Sequence, residues 1–333
     1  MECDVCVLGA GAAGLMAALT AGARGRRVLV LDSSNKPGKK ILMSGGGRCN
    51  FTNLDITPEN YLSANPHFAK SALARYTQWD FIALVEKHGI LWYEKKLGQL
   101  FCERSSRDIL EMLLAECEAV DVKILTHCEI HRMDRADRAP ADATDTDGFV
   151  LQTSFGPVRC VSLVVATGGL SIPKVGATGF GYALAGQFGL DVRQTSAALV
   201  PFVFDGPWRA LCERLAGVAL DVRAEAADAS MAVDGSAAFD EAILFSHRGL
   251  TGPAALQISS YWQPGGAIRL DLLPGQMLVD ALRGLKVSAP TRTIRKALLE
   301  FLPRKLTDTL LDHLAPPKRL RGLGEWSDAE IMG

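Results

Sequence analysis

The chain has 333 residues, 48% apolar and 22% charged, an ordinary globular composition with room for two or three domains. Its formal net charge of −1 gives no sign of a nucleic-acid partner, and no stretch is suited to spanning a bilayer. We therefore expect a water-soluble, cytoplasmic protein with a small-molecule substrate, no nucleic acid and no membrane partner.

The first apolar run, Val5–Leu8, reads as a buried strand. Glycines at 9, 11 and 14 turn the chain into a helix over Ala12–Arg24, and Val28–Leu31 is a second strand ending at Asp32. Val5 to Ala23 carries no charge, but the acidic residues Glu2 and Asp4 precede it and the glycines break it, so it is neither a signal peptide nor a membrane span. Residues 33–65 are rich in Gly, Asn and Ser and read as one long functional loop. Helices are expected at Pro66–Tyr76, Trp79–His88 and Ser105–Cys117, and strands at Lys123–Leu125, Cys128–Met133, Phe149–Ser154 and Val158–Val165. The polar stretch 135–148 reads as an exposed loop tip. Gly176–Gly189 is a turn plus helix. Beyond about residue 196 come short strand-like runs at Leu199–Phe204, Val218–Ala224 and Ala267–Leu272, then helices at Ala254–Tyr261, Gln276–Leu285, Thr293–Phe301 and Arg304–His313. Boundaries fall near 196 and 275, giving parts 1–196, 197–275 and 276–333.

Gly9-x-Gly11-x-x-Gly14 follows a strand, opens a helix and has Asp32 18 residues beyond it, the arrangement of a dinucleotide-binding βαβ unit. Gly9 allows the tight turn, Gly11 removes a Cβ where a pyrophosphate must approach, and Gly14 lets the helix pack on the strand. The helix start, with Ala12 and Ala13, offers free N–H groups to phosphate, and Asp32 can accept from ribose hydroxyls. FAD and NAD share this first loop. Lys39, Lys40, Ser44, Gly45, Gly46, Gly47, Arg48, Cys49 and Asn50 then supply charge and unblocked amides beyond what NAD needs. Ala166-Thr167-Gly168-Gly169 at a strand end is another close backbone approach, so FAD is the expected cofactor. The eight cysteines read as reduced thiols. Cys3-x-x-Cys6 has a metal or redox spacing, but both lie on the first strand, where residues three apart point to opposite faces. No histidine has metal-site spacing, and no metal is expected. Cys49 is a candidate for flavin or substrate contact, or a small residue packed beneath its loop. Arg48 binds phosphate or orders the loop. His247 and Arg248, in a Gly/Pro-bounded turn, are candidates for substrate or nicotinamide contact, or simply form a turn before a helix.

The run Gly38-Lys39-Lys40-Ile41-Leu42-Met43-Ser44-Gly45-Gly46-Gly47-Arg48-Cys49-Asn50-Phe51-Thr52-Asn53 resembles the signature of the BaiN/RdsA (YhiN-like) NAD(P)/FAD-dependent oxidoreductases. So do the runs from Ala166 to Thr178 and from Phe245 to Pro253. The resemblance implies an α/β flavoprotein with a Rossmann-type FAD-binding domain (residues 1–196), an inserted β-rich domain (197–275) and a small helical subdomain (276–333). By similarity, the strand at Glu129-Ile130 presents backbone to the adenine. Hydride would pass between flavin and a small organic substrate, with NAD(P)H as reductant. Members of the family close with a Gly-Leu-Tyr-Phe-x-Gly-Glu run and a Gly-Gly-x-Asn run, for which the stretch ending Ser327–Gly333 has no counterpart, so the flavin's redox end is expected to be poorly held. A truncated, non-catalytic flavoprotein fragment and a plain NAD-binding dehydrogenase are the alternatives.

Overall fold

The computed structural model describes residues 1–136, 148–172, 176–226, 237–275, 277–314 and 321–332. Residues 137–147 of the expected loop tip lie outside the described residues. The chain divides into two compact units: Met1–Pro58 with Ala69–Gln194, and Glu59–Phe68 with Thr195–Gly333.

The first unit opens with β1 (Glu2–Leu8), α1 (Ala12–Ala23) and β2 (Val28–Leu31). All four residues of β2 are buried, as an apolar strand covered on both faces must be. Next come α2 (Lys39–Met43), a 3-10 turn at Ser44–Gly47 and β3 (Asn50–Asn53), so the expected loop at 33–65 is in part ordered structure. After these follow α3 (Lys70–Arg75), α4 (Gln78–Lys87), β4 (Trp92–Glu94), β5 (Gln99–Cys102) and α5 (Ser106–Glu118). The start of α4 is fixed by a capping box: Asp80 N donates to Thr77 Oγ1 at 3.3 Å, while Thr77 N donates to Asp80 Oδ2 at 2.7 Å. Such a cap stabilises a helix by about 1 kcal/mol.

The unit closes with β6 (Lys123–Leu125), β7 (Ile130–Arg135), β8 (Phe149–Thr153), β9 (Gly156–Val165) and α6 (Phe180–Gln187). The main sheet has the order β6-β2-β1-β9-β8-β7; its first four strands are parallel, and β9, β8 and β7 form an antiparallel meander. The chain leaves β1 toward β2 on one side and returns as β9 on the other. The carboxyl ends of β1 and β9 therefore flank a topological switch point, where open α/β sheets bind ligands. Along β1, Val5 and Val7 pack into the core shared with α1 and α5, while Cys6 and Leu8 pack into the core on the opposite face with β7–β9 and α6.

Cys3 breaks that alternation. It joins Cys6 and Cys160 in the same core, contrary to the expectation of opposite faces. Asp4 N and Val5 N both donate to Arg27 O, at 2.9 and 3.1 Å, so the strand is irregular toward β2 at this point, while its register with β9 is unbroken. A separate three-stranded sheet, β3-β5-β4, was not expected from sequence.

The second unit is built on a five-stranded sheet of order β10-β13-β12-β11-β14. Its elements in chain order are β10 (Phe202–Val203), α7 (Gly206–Leu215), β11 (Ala219–Ala226), β12 (Ala237–Ser246), β13 (Gly249–Thr251), α8 (Pro253–Ser259) and β14 (Ile268–Asp271). Then come α9 (Leu278–Ser288), α10 (Ile294–Leu298), α11 (Arg304–Leu314) and α12 (Asp328–Met332). Leu306 of α11 joins the core of the sheet, whereas Leu311 joins a smaller core with Leu282, Ile294, Ala297, Leu323 and Trp326. α7, β12, β13 and α12 had no counterpart in the sequence reading. Among the described residues, no helix is long and apolar enough to cross a membrane.

Candidate functional site

The first unit holds a cleft of about 730 Å³ at the carboxyl ends of β1 and β9. The glycine fingerprint builds its floor. Gly9 has φ +102°, and a Cβ there would sit 2.6 Å from Ala166 O, so only glycine fits between the two strand ends. A Cβ at Gly14 would lie 1.8 Å from Gly9 O, so α1 could not pack this close to β1 with any other residue. Around Gly11, by contrast, no described atom lies within 4 Å of a built Cβ: that space belongs to the cleft. Among the described residues no side chain caps α1, so the N–H groups of Ala12 and Ala13 stay available at a positive dipole end.

Asp32, at the end of β2, ties this floor together. Its Oδ2 accepts from Ala10 N at 2.6 Å; its Oδ1 accepts from Ser34 N at 2.7 Å and Ser34 Oγ at 2.5 Å. A carboxylate has about four acceptor sites, so one remains for a ligand hydroxyl. Opposite, Gly168 has φ +76°, and a Cβ there would meet Lys40 Nζ at 3.2 Å. The lysine head thus stands beside the Ala166–Gly168 turn.

The second glycine loop divides. Ser44, Cys49 and Asn50 line the cleft, as do Lys39 and Lys40. Gly45, Gly46, Gly47 and Arg48 do not, and neither does Gly14. Gly45 instead packs on the β3-β5-β4 sheet, where a Cβ would come within 2.8 Å of the Phe101 ring. Arg48 Nη1 donates to Glu103 O at 2.5 Å, and Arg48 O accepts from Cys102 N at 2.9 Å, so the arginine orders the loop.

Cys49 is 6% exposed and holds φ +51°, a backbone conformation costly for a residue with a Cβ. Burial pushes its thiol pKa up, partly offset by a hydrogen bond with Ser44. The Arg48 guanidinium is turned to Glu103, and desolvation keeps the Cys49 sulfur protonated.

The structure brings Gly9, Gly11, Ala12, Ala13, Asp32, Ile130, Ala166, Thr167 and Gly168 to the same cleft as the second-loop residues. Glu129, expected beside Ile130, lines it too; sequence reasoning did not single out Phe51, Phe81, His131, Gly176 and Phe180, which also line it. Phe51 and Phe81 pack with ring centroids 6.1 Å apart, closing one wall. Phe81 lies in an ordinary amphipathic helix, and no motif marks it. His247 and Arg248 belong to the second unit, in the exposed turn between β12 and β13, and do not line the cleft. Arg248 O accepts from Phe204 N at 2.9 Å there. All eight cysteines are buried free thiols, and burial raises Cys102 to about 12. Among the described residues, no group of His, Cys, Asp and Glu is placed to hold a metal ion.

Residues 3–289 match the model of the HI0933-like protein Rossmann domain. The "Ribosomal RNA dihydrouridine synthase" of Escherichia coli (strain K12) is 48% identical over 328 residues, covering 98% of this chain and 76% of that protein. The protein of the same name from Haemophilus influenzae is 45% identical over 306 residues, covering 92% and 73%. The "3-dehydro-bile acid delta(4,6)-reductase" of Clostridium scindens is 26% identical over 320 residues, covering 92% and 74%. These names are at odds with the expectation of no nucleic-acid partner. The total of −1 averages over unlike segments: residues 36–58 and 69–107 carry eleven Lys and Arg against five Asp and Glu.

Proposed function

We propose a substrate and a direction for this chain, which belongs to the HI0933-like Rossmann family of flavin-dependent oxidoreductases: it reduces a carbon–carbon double bond of uracil in ribosomal RNA, with FAD as cofactor and NAD(P)H as reductant. The single observation carrying the substrate is the pair of relatives at 48% and 45% identity named as ribosomal RNA dihydrouridine synthases. The bile-acid reductase relative, named for the reduction of ring double bonds, supports the same reaction type. A plain NAD-binding dehydrogenase leaves the family unexplained. Cytoplasmic residence follows from the same reading, since that is where ribosomal RNA is found.

The cleft fits FAD on its own chemistry. The uncapped α1 terminus at Gly11–Ala13 suits a pyrophosphate, and the remaining acceptor capacity of Asp32 suits the adenosine ribose. The chain at Cys128–His131 would face the adenine, and Lys40, Thr167, Gly168 and Ser44 the flavin end. When bound, FAD supplies the hydride. In uracil, C6 is the carbon conjugated to the C4 carbonyl and takes hydride; C5 then needs a proton. The Cys49 thiol, kept protonated by burial, is positioned in the cleft to hold that proton. Phe51 and Phe81 exclude water from this wall. NAD(P)H leaves as NAD(P)+, so the ring gains two electrons and two protons: the hydride at C6 and the proton from the acid at C5.

The test is incubation of FAD-loaded protein and NADPH with unmodified ribosomal RNA, followed by nucleoside mass spectrometry. A uridine that gains two hydrogens is expected. Intact uridine throughout, with flavin bound and NADPH present, would overturn the substrate.

A further inference from the structure

In the sheet β3-β5-β4, Asn50 of β3, Phe101 of β5 and Tyr93 of β4 are register partners and share one face, which runs from the cleft to the hairpin beyond it. Asn50 and Phe51 of β3 line the cleft. On that face, Tyr93 stacks on Phe101 with centroids 6.0 Å apart and planes at 26°, and Lys95 Nζ stands 5.3 Å from the Phe101 centroid. Gly45 packs against the same ring. The face is therefore continuous with the Ser44–Asn50 loop at the cleft. It ends in the β4–β5 hairpin tip, Lys95-Lys96-Leu97-Gly98. That tip is held rigidly: Asn53 Nδ2 donates to Leu97 O at 2.9 Å, Leu54 N to Gly98 O at 2.9 Å, and Gly98 N to Glu94 Oε1 at 3.1 Å. Leu97 is 65% exposed yet sits at φ +51°, strain retained at a surface position that buries little.

We infer that the part of this face beyond the cleft, around Tyr93, and its lysine-bearing tip form the docking platform for the RNA strand flanking the nucleotide that enters the cleft. The inference rests on the ribosomal RNA reading above and adds the surface that reads the strand. Three observations favour a nucleic acid as occupant. The face combines an exposed aromatic ring, Tyr93, with Lys95 and Lys96, the pairing that single-stranded RNA binders use for stacking and phosphate contact. The surrounding segments carry the chain's local excess of positive charge, eleven basic against five acidic residues, within a total of −1. Finally, the face adjoins the cleft, so a strand lying on it delivers a neighbouring base to the cleft without crossing to another part of the unit.

The experiment uses the full FAD-loaded chain and a fluorescein-labelled, uridine-rich single-stranded RNA, with binding followed by fluorescence anisotropy across a KCl series. For the double variant Lys95→Ala/Lys96→Ala, the slope of log affinity against log salt should flatten by about 1.4, from two lost phosphate contacts at about 0.7 each. Tyr93→Ala should weaken binding by ~10-fold or more, and Tyr93→Phe should restore it. The flavin spectrum should match wild type in every variant, since none of these residues lines the cleft. Wild-type protein that binds no RNA would overturn the ribosomal RNA reading and the platform with it. Tight wild-type binding that is equally tight in Tyr93→Ala, or that keeps its full salt slope in the double lysine variant, would overturn the platform alone.

Discussion

Two glycines three residues apart should fail in different ways when each gains one methyl group. In Gly14→Ala the new Cβ starts 1.8 Å from Gly9 O, against 3.4 Å for ordinary contact. α1 must retreat by about 1.6 Å from a backbone carbonyl that cannot rotate away. Overpacking of that kind costs about 3 kcal/mol, the upper end of the usual range, and should lower the melting temperature by roughly 6–12 °C for a unit of this size. In Gly11→Ala no described atom lies within 4 Å of the methyl, and φ is −84°, so the fold should lose only about 0.5–1 kcal/mol from a poorer helix start. The methyl instead occupies cleft space where the pyrophosphate would lie. The same overpacking, of about 1–3 kcal/mol, now falls on the bound ligand, which corresponds to roughly 5- to 150-fold weaker FAD binding. Urea unfolding of the apoprotein reads the first effect and quenching of flavin fluorescence reads the second. A stable Gly14→Ala, or a Gly11→Ala that binds FAD like wild type, would refute the assignment of packing to one glycine and ligand approach to the other.

Other substitutions probe the remaining parts of the cleft. Asp32→Ala strands the N–H groups of Ala10 and Ser34; it should cost about 1–3 kcal/mol in chemical denaturation and weaken FAD binding as well. Cys49→Ala should leave reduction of bound flavin by NADPH intact while slowing RNA reduction by ~100-fold or more, and equal rates in the two proteins would remove the thiol from the reaction. Because burial raises this thiol's pKa and an acid must be protonated to act, wild-type turnover should fall only at pH above the ordinary thiol range. Ser44→Ala, which removes the hydrogen bond that lowers that pKa, should move the alkaline limb higher still. Leu97→Gly relieves a left-handed backbone at an exposed tip; a gain of about 0.5–1 kcal/mol in thermal unfolding is expected, and a loss would mean that the leucine packs more than its exposure suggests.

The opening βαβ unit was legible because its physics is local. Buried parallel strands read as unbroken apolar runs, and Gly9 and Gly14 answer a steric demand of the neighbouring backbone while Gly11 keeps cleft space open. The family signature was likewise legible in Lys39–Asn50 and Ala166–Gly168. What escaped was set by pairing between distant residues. β4 is three residues, Trp92-Tyr93-Glu94, too short and too polar to carry a period, and it exists because β5 pairs with it. β12 reads Ala-Ala-Phe-Asp-Glu-Ala-Ile-Leu-Phe-Ser, a run whose alanines and acids favour a helix until β11 and β13 claim its edges. The alternation rule failed at Cys3, where Asp4 N and Val5 N share the one acceptor Arg27 O, an irregularity invisible in the residue types. Within the second loop, sequence alone could not separate Ser44, Cys49 and Asn50, which face the cleft, from Gly45 and Arg48, which turn to Phe101 and Glu103. That division depends on a sheet the sequence does not announce.

The most direct measurement of the whole account is anaerobic. The FAD-loaded chain is bleached with a limiting amount of NADPH, and unmodified ribosomal RNA transcript is then added while the visible flavin band is followed. The account predicts that the band returns, one flavin for each dihydrouridine formed. A band that stays bleached with RNA present, yet returns on admission of air, would contradict it.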